Sequence, residues 1–155
     1  MFDKLIAYLQ KREWKYIENE DQSMISFNLS GTNGVFQCSA YDQRDKNRFI
    51  FFTYCISTCP EDIRIRMAEL LMRLNNTIFF GNFELNFETG QIKFKTSIFY
   101  ENLELTETAI DSLIIGNVFM MDDCTPAIMK LIYGNLSPLE AFNLRMEQQR
   151  FQIEN

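Results

Sequence analysis

Few residues in this 155-residue chain could do chemistry, and one missing type decides most of the question: there is no histidine. Ser-His-Asp and Cys-His nucleophiles need an imidazole to take a proton near neutral pH, so those reaction classes fall away. The four cysteines are Cys38, Cys55, Cys59 and Cys124. None forms the Cys-x-x-Cys spacing of a zinc site, Cys55 and Cys59 having three residues between them. Cys38 and Cys55 fall in strand-like stretches, where a free thiol behaves as a small apolar side chain. Asp122 and Asp123 could be paired carboxylates or metal ligands. Adjacent acids on a helix point in different directions, however, and these precede Pro126, where acids are expected to cap the following turn. Glu84 and Glu88 share a strand face about 13 Å apart at the strand rise, far for a glycosidase pair. The glycines form neither a phosphate loop nor a dinucleotide fingerprint. Met67, Met72, Met120, Met121 and Met129 would suit an adaptable binding surface, but methionines on helices more often fill cores. No catalytic residue, metal or cofactor is expected.

Composition narrows the partners. The net charge is -6, whereas nucleic-acid binding needs a basic footprint to displace counterions from phosphates. Lys11, Arg12 and Lys15 make a small patch that Glu13 interrupts, which reads as a solvated helix end. No apolar run approaches a membrane span and no cleavable leader is expected, so a soluble, cytoplasmic protein with reduced thiols follows. The length suits a single domain, residues 1–155, with a polar tail over 145–155.

The elements organise around one hairpin. Phe83, Leu85 and Phe87 alternate with Glu84, Asn86 and Glu88; after Thr89-Gly90-Gln91, Ile92 and Phe94 alternate with Lys93 and Lys95. Period-two alternation on both sides of a Gly-containing loop gives two strands with one dry and one wet face, where Glu84 and Glu88 can pair with Lys93 and Lys95. Before it, Phe2, Leu5, Ile6 and Leu9 mark an amphipathic helix ending near Arg12. Trp14 and Tyr16 then anchor that helix to the sheet. Strands are expected from Met24 to Leu29, from Val35 to Tyr41 and from Arg48 to about Ser57. The last is apolar on both sides: Phe49, Phe51, Thr53 and Cys55 face one way, Ile50, Phe52, Tyr54 and Ile56 the other. Such a strand must be covered on both faces, by the chain's own helices or by another subunit, and the sequence leaves both open. Phe49, Ile50, Phe51, Phe52, Tyr54 and Ile56 are therefore the candidate interface.

Pro60-Glu61-Asp62 starts a helix whose stripe is Ile63, Met67, Leu70, Leu71 and Leu74. Thr106 is the expected N-cap of a further helix, which Pro126 should kink or divide. Gly134 ends that segment, and Ser137-Pro138-Leu139-Glu140 opens a short helix. The fold class is α+β, a twisted antiparallel sheet of about five strands with helices mainly on one face, in the order α-β-β-β-α-β-β-α-α.

The stretch from Ile63 to Phe142 resembles the YbjN family of bacterial proteins, often labelled regulators of sensory transduction. Leu70, Leu71, Leu74 and Asn75 carry the resemblance, with Phe80 through Leu85, Glu88 through Thr96, Pro126 through Gly134, Ser137-Pro138 and Glu140-Ala141. It implies a fold like that of type III secretion chaperones, which are typically dimers that bind segments of partner proteins, and no catalytic residue. Two functions follow as expectations. One is a non-enzymatic protein-binding or regulatory module, a homodimer with a protein partner and without nucleic acid or membrane. The alternative is a small-ligand sensor with an aromatic pocket between sheet and helices.

Overall fold

The structure is a computed structural model that describes residues 2–101 and 106–154. The chain runs α1 (Phe2–Lys11), β1 (Tyr16–Asn19), β2 (Met24–Ser30), β3 (Val35–Gln43), β4 (Arg48–Tyr54), α2 (Arg64–Asn75), β5 (Asn82–Leu85), β6 (Ile92–Phe99), α3 (Glu107–Tyr133) and α4 (Pro138–Glu154). The strands form one antiparallel sheet in the order β1-β2-β3-β4-β6-β5. This is the expected α+β layer with six strands instead of about five. The extra strand is β1, which is four residues long and leaves Ile17 76% exposed, so it carries no alternating pattern to read.

Register divides the sheet into two faces. Ile25 lies opposite Ala40, Ala40 opposite Phe51, Phe51 opposite Thr96 and Phe94 opposite Phe83, and all are buried. Against this face lie the buried stripes of α1, α2 and α3, through Leu5 and Leu9, Met67, Leu70 and Leu74, and Ile110, Ile114 and Met121.

Polar contacts fix the helices where apolar packing alone would let them slide. Asn117, fully buried on α3, donates from Nδ2 to the carbonyls of Phe51 (3.2 Å) and Phe94 (3.4 Å) and to Thr96 Oγ1 (3.0 Å). It thereby pins α3 across β4 and β6. Asn75 accepts from the Phe83 amide at 2.7 Å and donates to the Phe83 carbonyl at 3.2 Å, which ties the end of α2 to β5. The buried Asp42 carboxylate accepts from the Phe2 amide (3.2 Å) and the Tyr100 hydroxyl (2.6 Å), joining α1 and the end of β6 to β3.

Two expectations, about α3 and about the last helix, need correction. Pro126 does not divide α3, which runs unbroken through it for 27 residues. Proline removes the donor that would reach the Asp122 carbonyl, and Asn33 Nδ2 takes its place at 3.0 Å. The helix that opens at Ser137 is not short, running for 17 residues. Ser137 and Glu140 form a capping box, the Ser137 amide donating to Glu140 Oε2 (2.8 Å) and the Glu140 amide to Ser137 Oγ (3.3 Å). The helix they start continues to Glu154, and Arg145 is 3% exposed within it.

In the hairpin between β5 and β6, Asn86 Oδ1 accepts from the amides of Glu88 (2.8 Å) and Thr89 (3.0 Å). This local turn ends the pairing at Leu85, so Phe87 and Glu88 lie outside the strand. Gly90 has φ +74°, and its carbonyl accepts from the Cys59 amide at 2.8 Å. A Cβ there would lie 2.1 Å from the Cys59 carbonyl oxygen, so both backbone conformation and close approach require glycine.

Candidate protein-contact face

The two sides of β4 have different surroundings. Phe49 and Phe51 are 1% and 0% exposed on the helix-covered side. Their burial within the chain takes these two out of any contact surface; the apolar stripe of α3 covers this side, and Asn117 fastens it to the Phe51 carbonyl. Ile50, Phe52 and Tyr54 point to the opposite side and stay half-buried, because no helix among the described residues packs there. Ile56 lies just beyond the strand end beside Gly34, 46% exposed.

Neighbouring strands complete this uncovered face. Tyr41 of β3 lies opposite Ile50 and sets its ring edge-on to Phe52 at 5.8 Å. Phe52 and Tyr54 follow at 6.3 Å, giving a row of three rings. Lys93 of β6 holds its ammonium 4.2 Å above the centre of Phe52 and 3.3 Å from Glu84. Lys95 pairs with the same carboxylate. Burial alone would raise the Glu84 carboxyl, but the hydrogen bonds and charges of Lys95 and Lys93 outweigh it and hold it below its ordinary value. Of the expected wet-face pairs, Glu84 makes both and Glu88 is outside the strand. Arg48 stacks over Phe99 at 5.9 Å and donates to Gln43 Oε1 at 2.9 Å. Tyr41, Arg48 and Phe99 were not singled out from the sequence. The signal for them was the register of the short turn between β3 and β4, which sets Tyr41 opposite Ile50.

The other chemistry-bearing residues are engaged in structure. Asp122 does not cap a turn after Pro126; its carboxylate accepts from the amides of Thr32 (2.8 Å) and Asn33 (2.7 Å), fastening the β2–β3 loop to α3. Asp123 accepts from Arg145 Nε at 3.0 Å and pairs with Nη2 at 2.9 Å. All four cysteines are free, and burial pushes the thiols of Cys38 and Cys124 up to about 12, away from the reactive thiolate. Among the described residues no group of three His, Cys, Asp or Glu could hold a metal ion, and no helix is long and apolar enough to cross a membrane.

Where a pocket between sheet and helices was expected, Phe36, Phe49, Phe51 and Phe94 fill the layer, with Phe83 and Phe94 rings 4.8 Å apart. Cavities open at the edges of this layer, one of them between β2 and α3 with Trp14 and Phe119 in its wall. One of about 540 Å³ lies beside Trp14, Tyr16 and Asn28, past the end of β1. Another of about 340 Å³ lies between Leu29 and Phe119.

This arrangement of six strands under four helices matches known structures. YbjN from E. coli superposes with a TM-score of 0.61 at 13% identity, over 79% of this chain and 86% of that one. The chain has the YbjN and secretion-chaperone fold. A chain of the HopA1–SchA chaperone–effector complex superposes with a TM-score of 0.53 at 17% identity, over 77% and 90% of the two chains. No family model matches the chain, and no curated protein matches it. At these identities the likeness concerns the YbjN-like fold and does not carry function with it.

Proposed function

We propose that the protein is a non-enzymatic, cytoplasmic protein-binding or regulatory module that works as a homodimer. Its surface for a protein partner is the uncovered sheet face around Ile50, Phe52 and Tyr54, with Ile56 at the margin. The observation that carries this is the second side of β4: it sets Ile50, Phe52 and Tyr54 in an apolar row, yet no helix among the described residues covers it. The row of Tyr41, Ile50, Phe52 and Tyr54 is the apolar centre of this face, and Ser39, Lys93 and Lys95 on the neighbouring strands give it a polar rim, the usual layout of a specific protein contact. The helix-free face also supports a binding role over a catalytic one, because its charged groups are paired with each other or stacked on rings. The fold likeness to a chain of a chaperone–effector complex points the same way.

Hydroxyl-radical footprinting of the protein as it assembles in its own cell extract, compared with the purified dilute chain, tests the reading. Phe52 and Tyr54 should lose reactivity on assembly, while the fully exposed Phe79 keeps it and serves as the control. Equal reactivity of Phe52 and Tyr54 in both states would remove the proposed surface.

A further inference from the structure

The charges on the uncovered face say what kind of partner it suits. By register, the strand residues of this face include Ile50, Phe52 and Tyr54 of β4, Lys93 and Lys95 of β6, and Glu84 of β5. Arg48 adds a third cation, and Glu84 is the one carboxylate among these strand positions. The face therefore carries a net +2 on a chain whose formal charge is -6. Neither lysine is free to swing: Glu84 lies between them, and Phe52 carries Lys93 on its ring. The cations are thus held beside the aromatic row, where a partner finds them already in place.

We propose that this face takes a segment of another protein in which apolar side chains are flanked by Asp or Glu. The rings and Ile50 receive the apolar side chains, and Lys93, Lys95 and Arg48 receive the carboxylates. A second copy of this chain fits less well. Face to face it would bring another net +2 into the same layer, where sheets pack about 10 Å apart and like charges oppose docking. The inference rests on the protein-binding reading and narrows it: the homodimer uses a different surface and leaves this face to the partner.

The test uses the full chain and two labelled synthetic peptides. One alternates Leu and Phe with Glu, and the other replaces every Glu by Lys. At low ionic strength the acidic peptide should bind about tenfold more tightly, the scale of two or three exposed ion pairs, and added salt should erode the difference. Lys93→Gln with Lys95→Gln should abolish the preference while leaving the circular dichroism unchanged. Phe52→Asp should weaken acidic-peptide binding at least tenfold and leave the dimer intact by native mass spectrometry. Equal binding of the two peptides, preference for the Lys peptide, or binding of neither would overturn the inference. Dissociation of the dimer by Phe52→Asp would also overturn it, handing the face to the second copy and leaving the protein-binding reading in force. A wild-type protein with no protein associate of any kind would instead defeat that broader reading.

Discussion

Arg145 offers the sharpest test of how this fold is held together. Its guanidinium is 3% exposed and its partner Asp123 10% exposed, with Arg145 Nε and Nη2 at 3.0 and 2.9 Å from the same carboxylate oxygen. Arg145 Nη1 also lies 3.4 Å from Thr77 Oγ1, so the side chain connects α4 to α3 and to the end of α2. Removing one member of a buried pair leaves the other charge desolvated and uncompensated, which costs about 3–5 kcal/mol. Arg145→Met should therefore lose about that much, a large share of the roughly 5–15 kcal/mol expected for a domain, so the variant remains folded but marginal. The double variant Arg145→Met with Asp123→Leu removes both charges and should recover most of the loss, because a well-packed apolar pair is often as stable as a buried ion pair. Urea unfolding followed by the fluorescence of Trp14, which packs on Tyr8 and Phe27 at ring distances of 6.0 Å, measures all three proteins. A loss below about 1 kcal/mol in Arg145→Met would place that pair in solvent, where such pairs are worth little, and would undo the account of α4 docking.

Gly90→Ala should destabilise by about 2 kcal/mol or more, from the left-handed backbone at φ +74° and the collision with the Cys59 carbonyl; an unchanged urea midpoint would show that the hairpin does not dock on that segment. Stability should fall as pH rises from about 9 toward 12. Burial raises the Cys38 and Cys124 thiols from 9.0 to about 12, so their contribution is fully present below the unfolded value and lost on approach to the folded one; a flat pH profile in chemical denaturation would contradict their burial. At the acid end the sign reverses. Glu84 is held low, so its contribution is present above the ordinary value of 4.5 and disappears as pH falls through the folded one, an effect that Glu84→Gln should remove.

The hairpin around Gly90 was legible because its alternation and its turn residues agree, and α2 because Pro60 and a clean apolar stripe agree. The contact face was only half legible. Alternation showed that β4 is apolar on both sides, but choosing the covered side depends on where the apolar stripe of α3 lands, and Asn117 then fastens α3 there. Its amide binds strand carbonyls far away in sequence, which no local pattern announces. The same limit explains Pro126, whose local effect is to break a helix until Asn33, on a distant loop, supplies the missing donor. It also explains Arg145, which reads as a solvated charge until Asp123 is placed opposite it. Strand β1 was missed for a different reason: four residues are too short to show a period.

The most direct test of the uncovered face is native mass spectrometry of the protein purified gently from its own cells, with Phe52→Asp prepared in parallel. The expected result is a wild-type dimer carrying a second polypeptide, and a Phe52→Asp protein of unchanged circular dichroism that has lost it. Identical masses for the two proteins, with the same polypeptide retained or none on either, would contradict the central claim that this face is where the protein meets its partner.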